Sequence, residues 1–341
     1  MKCSLRVVFA AILLAFVADA AIAQQIAVKG VAAVGVTVAD LDRSVDFYTH
    51  VLHFQKESEV ELSGAGIEHF KGVFGVRVRV ARLRLGSEEL ELSEYLAPRG
   101  RVIPADSHSN DLWFQHVAIV VSDMDQAYKW LRENHVQHVS SGPQTLPDWN
   151  TQAAGIQAFY FRDPDGHVLE IIHFPPGKGD PRWQQHGPEL FQGIDHTAIG
   201  VSNTDASLAY YRDQLGMRVA GTSENYGDEQ EHLNNVFGAR LRISSLRAAH
   251  GPGVELLEYL APRTGRSIPP DAAANDLAHW ETILEEDNLT GAWEYFSQGH
   301  ARLISSGVQK SGIDEDNHSE GFLMADPDGH VIALRKNTGI E

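Results

Sequence analysis

The chain repeats itself, and this repetition limits its fold more than any single motif. Glu68-His69 followed by Val73-Phe74-Gly75-Val76-Arg77-Val78-Arg79 returns as Glu231-His232 followed by Val236-Phe237-Gly238-Ala239-Arg240-Leu241-Arg242. Glu91 to Arg99 returns as Glu255 to Arg263, and Asn110-Asp111-Leu112 returns as Asn275-Asp276-Leu277. Asp163-Pro164-Asp165-Gly166-His167-Val168 returns as Asp326-Pro327-Asp328-Gly329-His330-Val331. A repeat of this length means two homologous halves. The Pro- and Gly-rich stretch from Pro175 to Pro181 separates them as a linker would.

Each half reads as double again. Val34-Gly35-Val36-Thr37-Val38 alternates as a strand. Asp40 then caps a helix whose Leu41, Val45, Tyr48, Val51 and Leu52 recur at helical spacing. The same opening recurs at Val117 to Val121 with Asp123, Met124, Ala127 and Leu131, and at Thr197 to Val201 with Leu208, Tyr211 and Leu215. Further strands follow, at 76–85 and 88–95 in the first unit and at 156–161 and 167–173 in the second. The expected fold is α+β: four βαβββ units in two domains, 28–175 and 191–337, joined by a linker over 176–190.

Composition narrows the function classes. The 341 residues carry 28 Lys+Arg against 46 Asp+Glu, a formal charge of −18. That balance argues against the basic face that nucleic acid requires. Lys2 and Arg6 precede an apolar run from Val7 to Val17, and Ala21-Ile22-Ala23 ends it in small residues. This reads as a signal peptide over 1–23, so the mature chain is expected in the periplasm or secreted. The run is far shorter than the roughly 20 residues a membrane-spanning helix needs. Cleavage after Ala23 also removes Cys3, the one cysteine, which excludes thiolate metal sites and Cys nucleophiles.

The stretch Asp40-Leu41-Asp42-Arg43-Ser44-Val45-Asp46-Phe47-Tyr48, with the later Phe161-Arg162-Asp163-Pro164-Asp165-Gly166-His167-Val168-Leu169-Glu170, resembles the glyoxalase, or vicinal-oxygen-chelate, superfamily. The resemblance covers nearly the whole mature chain. It implies curled mixed sheets flanked by helices, with a metal and a substrate in the concavity. It also implies one ligand position on the first strand and one on the last strand of each unit. In chain order these positions hold Ala33 and Glu91, His116 and Glu170, His196 and Glu255, then Glu281 and Ala333. Pairing units two and three gives a complete set, His116, Glu170, His196 and Glu255. Units one and four would then hold a vestigial site, because alanine cannot coordinate. Pairing within each half gives Glu91, His116 and Glu170 in one and His196, Glu255 and Glu281 in the other. Imidazole and carboxylate without thiolate suit one divalent ion, Ni, Zn, Co, Mn or Fe.

The activity implied is a metal-dependent lyase or isomerase working by proton transfer on a small oxygen-chelating substrate, with Glu170 as base and Glu255 its counterpart. Two other readings stand beside it. An extradiol-type dioxygenase would draw ligands from the third and fourth units, where His196, Glu281 and Ala333 stand. A non-catalytic small-molecule-binding protein of the same superfamily would need no metal. The expected partner is a small molecule, with no nucleic acid and no membrane once the leader is gone. A chain that supplies all four units is compatible with a monomer and does not exclude an oligomer.

Plainer readings apply to the remaining residues. Among 17 histidines, any single one is more often hydrogen-bonded than metal-bound. Arg77, Arg79, Arg240 and Arg242 alternate along strands and should line one sheet face. Glu94, Glu258, Arg99 and Arg263 read as solvated or salt-bridging charges, and His167 and His330 as exposed. His279, two residues before Glu281, is a weak substitute ligand. Met124, Tyr48 and Tyr211 read as helix packing residues.

Overall fold

The computed structural model describes residues 26–185, 187–312 and 319–336. The leader, Cys3 and the acidic Asp314-Glu315-Asp316 lie outside that range. Four units of the expected order are present. In each, the helix after the first strand starts at a side-chain cap: Asp40 accepts from Arg43 N, Asp123 from Gln126 N, Asn203 from Ala206 N and Asn288 from Gly291 N. Capping satisfies a helix N–H that has no partner of its own.

The units do not form sheets within each half. One mixed sheet runs Arg302–Leu303, Glu320–Ala325, Val331–Lys336, Trp280–Glu285, Val31–Val38, Glu88–Ala97, Arg77–Leu85 and Gln55–Ser63, which joins unit four to unit one. The other runs Arg218–Tyr226, Arg240–Arg247, Gly253–Ala261, Phe191–Gly200, Gln115–Val121, Val168–His173, Gln157–Arg162 and Gln137–His138, joining unit three to unit two. Neither sheet closes. At the centre of each, two first strands pair antiparallel, Gly35 opposite Glu281 and Ala198 opposite His116.

The hydrophobic cores follow the other connectivity. Val34, Val36, Leu41 and Tyr48 of unit one share a core with Val117, Ile119, Leu131 and Phe159 of unit two. Ile199, Leu208 and Tyr211 share another with Leu284, Leu289 and Phe322. These two clusters lie largely within the halves, whereas the sheets and the clusters on their concave faces, Ala33 with Ala333 and Tyr160 with Ala198, run across them. Because both sheets cross the halves, the halves cannot separate without breaking both sheets, and each fully buried Leu or Phe in the shared clusters adds about 1.5–3 kcal/mol. Met124, Tyr48 and Tyr211 are buried packing residues as expected. No helix among the described residues is long and apolar enough to cross a membrane.

One group behaves differently from its sequence reading, and a second forms the expected salt bridges while also being buried. His167 and His330 are buried, not exposed. His167 Nδ1 lies 2.8 Å from Asp163 Oδ2 and its Nε2 lies 2.6 Å from the Leu277 carbonyl of the other half. His330 repeats this with Asp326 at 3.0 Å and the Leu112 carbonyl at 2.7 Å. Carboxylate and carbonyl oxygens only accept, so both ring nitrogens donate and each ring is an imidazolium. Burial alone would lower both pKa values, but the neighbouring aspartates outweigh it and raise them above the ordinary histidine value. The turn motif thus bolts one half to the other. The second group is Glu94 and Glu258, which are buried and accept the helix-start N–H groups of Leu41 at 3.2 Å and Thr204 at 3.0 Å. Each also meets an arginine, Arg79 and Arg263.

The buried imidazolium pair carries a pH dependence. Its folded pKa values lie above the unfolded ones, so the stabilisation is complete below about pH 6.5 and drains away as pH rises through the folded values. Tm should therefore fall on the alkaline side, and His167→Gln with His330→Gln should flatten that limb. A double variant with the wild-type alkaline slope would contradict the assignment.

Candidate metal centre

In the sheet of units two and three, alternation decides which side chains meet. His116 and Ala118 share a face of one central strand, as do His196 and Ala198 of the other, and the pairs His116 with Ala198 and Ala118 with His196 put all four together. Glu170 lies opposite Ala118 on one flanking parallel strand, and Glu255 lies opposite Ala198 on the other. Two alanines between two histidines leave space that four ligands can enter.

Three of the four converge. One ligand atom each from His116, Glu170 and His196 lies within 4.8 Å of the others, the one such group of metal-binding character among the described residues. Glu170 Oε2 is 3.0 Å from His116 Nε2 and 3.6 Å from His196 Nε2. Around an ion with bonds of about 2.0–2.2 Å, ligand atoms sit roughly 3 Å apart. Both Nε2 atoms are buried and lack an aligned hydrogen-bond partner, although a buried polar atom ordinarily has one. These lone nitrogens aimed at one carboxylate are what a divalent ion would satisfy, so the residues fit the group. Glu255 stands at the edge, with Oε2 3.5 Å from His196 Nε2 and Oε1 accepting from Ser245 Oγ at 2.5 Å.

Sequence reasoning missed the residue that holds His196. Asp195 and His196 should point to opposite faces of a strand, but a bulge between Ile194 and His196 adds one residue against the partner strand. Asp195 Oδ2 is thereby 2.9 Å from His196 Nδ1. The carboxylate is itself pinned by Trp183 Nε1 at 2.7 Å and by Arg247 Nη2 at 2.9 and 2.8 Å. Trp183 comes from the linker, in the short turn Pro181–Gln184. Because a carboxylate accepts, Nδ1 carries the hydrogen and Nε2 presents its lone pair to the centre. Burial would depress the His196 pKa, yet Glu255, Asp195 and Glu170 together raise it to about 9 in the metal-free site, so an ion binding at Nε2 displaces a proton from that nitrogen while Nδ1 keeps its own. Burial would raise that of Asp195, and His196 and Arg247 hold it well below the carboxylate range. The Asp-His dipeptide was the only sequence signal, and strand alternation argued against it.

Units one and four build the mirror image without ligands. Ala33 and Ala333 are buried in the core cluster of their concave face. Glu91 pairs with Arg335 at 2.8 and 2.9 Å. Glu281 pairs with Lys71 and takes His279 Nε2 at 3.0 Å. All these charges are buried or nearly so, and despite burial the cations hold the Glu281 pKa well below the carboxylate range. The vestigial site is thus filled by the protein's own cations. Breaking a buried pair by removing one partner costs about 3–5 kcal/mol, so Lys71→Met should lower the unfolding free energy by that much in a denaturant titration. A change under about 1 kcal/mol would contradict the pairing. The alternative ligand groupings are not assembled: Glu91 lies in a different sheet from His116, and His196 in a different sheet from Glu281. Arg77 and Arg240 form exposed pairs with Glu61 and Glu224.

A cavity of about 1050 Å³ opens at the centre, touching Glu170, His196, Glu255 and Tyr160. Such a volume holds a small molecule beside an ion.

The chain belongs to the Glyoxalase/Bleomycin resistance protein/Dioxygenase superfamily, whose model matches residues 30–171 and 193–334. Among curated relatives, it is similar to a 2-epi-5-epi-valiolone epimerase from Actinomyces sp, 35% identical over 47% of this chain and 86% of that protein. The metallothiol transferase FosB of Staphylococcus epidermidis is 28% identical over 40% of this chain and 75% of that one. Glyoxalase I from Zea mays shares the fold, with a TM-score of 0.60 at 16% identity, covering 91% of this chain and 93% of the maize chain.

Proposed function

We propose that this protein is an exported metal-dependent isomerase or lyase that moves a proton on a small substrate with two adjacent oxygens. The convergence of two partnerless imidazole nitrogens on Glu170 carries this reading. His116, Glu170 and His196, with Glu255 completing the set, would hold one divalent ion. When bound, such an ion polarises the chelated oxygens and lowers the pKa of the neighbouring C–H.

The chain's own residues do the rest. Asp195 keeps His196 in the tautomer that offers Nε2. Phe114 and Tyr160, with ring centroids 5.5 and 4.9 Å from that of His116, keep its ring in place. Glu170 and Glu255 flank His196 on either side, so one carboxylate takes the substrate proton and the other returns it. Similarity to an epimerase at 35% identity supports proton transfer as the reaction class, and the leader-like run 1–23 supports export.

The test is solvent deuterium uptake into the α-carbon of simple α-hydroxyketones, followed by NMR with and without added Ni, Zn, Co, Mn or Fe. Metal-dependent uptake that is absent in His116→Ala is expected. Uptake independent of both metal and His116 would overturn the reading.

A further inference from the structure

The internal repeat supplies a control for what the cavity recognises. Among the neutral polar residues that line it on the side of unit three are Ser223, Asn225 and Gln230. At the repeat offset their counterparts in unit one are Val60, Leu62 and Ile67, which pack into the filled concave face of the other sheet. The fold therefore accepts apolar residues at all three places. Buried amides there cost free energy unless something bonds to them.

The amides are ordered by one another. Asn150 Nδ2 donates to Asn225 Oδ1 at 2.7 Å, Asn225 Nδ2 donates to Gln230 Oε1 at 3.0 Å, and Gln230 Nε2 donates to Asn234 Oδ1. All four are buried. An amide nitrogen has two hydrogens, and each donor in this ladder uses one. Asn225 and Gln230, both lining the cavity, thus each keep one N–H that the ladder does not use, and Ser223 adds a hydroxyl.

Fixed charges on the same walls are largely engaged. Arg247 is held by Asp195, Arg182 by Glu88, and Lys178 Nζ donates to the Thr151 and Gln152 carbonyls. Arg218, the remaining guanidinium, is exposed on the edge strand. A wall of neutral donors and acceptors matches hydroxyl groups, which both donate and accept.

We propose that Ser223, Asn225 and Gln230 form a recognition wall for a neutral polyhydroxylated substrate, whose two adjacent oxygens reach the His116, Glu170 and His196 centre. This rests on the metal-dependent reading above. It adds the substrate class.

The probes are 2-keto-myo-inositol, a polyhydroxylated cyclohexanone, and 2-hydroxycyclohexanone, which keeps the chelating oxygens alone. Binding to cobalt-loaded protein is measured by calorimetry, beside metal content. Asn225→Leu with Gln230→Ile installs the residues of the other half but leaves buried Asn150 and Asn234 without their ladder partners. The variant's folding is therefore verified by circular dichroism and its cobalt content before binding is read, with Asn225→Ser as a milder second variant. Wild type should bind the polyol at least about tenfold more tightly than the bare hydroxyketone, as two hydrogen bonds allow. The double variant should keep its cobalt, bind the bare hydroxyketone as before and lose the preference. Equal binding of both probes by wild type, or an intact preference in the variant, would overturn the proposal, as would tighter binding of an anionic hydroxyketone phosphate. If the protein takes up no cobalt, the metal reading fails on its own; the wall is then supported by polyol binding to metal-free protein that the double variant loses, and overturned by none.

Discussion

Asp195→Asn should weaken metal binding by about 10–100-fold while leaving the protein folded. Asp195 reaches His196 Nδ1 only because the strand bulges there, and Arg247 and Trp183 leave it no other orientation. An asparagine amide can turn its NH2 toward Nδ1. The imidazole hydrogen would then shift to Nε2, the nitrogen the ion needs. Measured as a dissociation constant by competition with a chelator, the loss should be specific. Asp46→Asn, exposed on the helix of unit one, should leave the constant unchanged. A variant at Asp195 that binds metal like wild type would mean the bulge contact only supports the strand.

Glu255→Gln should lower deuterium uptake by about 10²–10⁴-fold with metal retained. Glu255 lies outside the tight group of three and is steadied by a hydrogen bond from Ser245 and by the charge of His196. Its removal leaves two histidines and Glu170 to hold the ion and takes away one of two proton carriers. Glu170→Gln should do the opposite, reducing metal content along with turnover, since its Oε2 is the atom both histidines approach. If the two variants lose metal equally and activity equally, the division of roles between them is wrong.

Much of this was legible in the sequence because the repeat could be read residue by residue. It located the four units and the openings of their helices, the resemblance to the superfamily supplied the eight ligand positions, and pairing units two with three matched the sheet order. The rest depended on long-range packing that spacing does not reveal. Histidines following a turn glycine look exposed until the other half supplies a carbonyl 110 residues away for His167. Lys71 and Arg335 carry no signal beside Glu281 and Glu91, because the helix and strand that present them meet only in the fold. Asp195 was hidden by a rule that usually holds: neighbours on a strand face opposite ways unless a bulge intervenes.

The central claim is that one intact metal centre lies in units two and three and none in units one and four. Metal content should be measured by elemental analysis after dialysis against each ion, comparing wild type with His116→Ala, His196→Ala and Glu281→Gln. One ion per chain is predicted, lost in both histidine variants and retained in Glu281→Gln. An ion that survives loss of either histidine, or a wild-type protein that takes up none, would contradict the account.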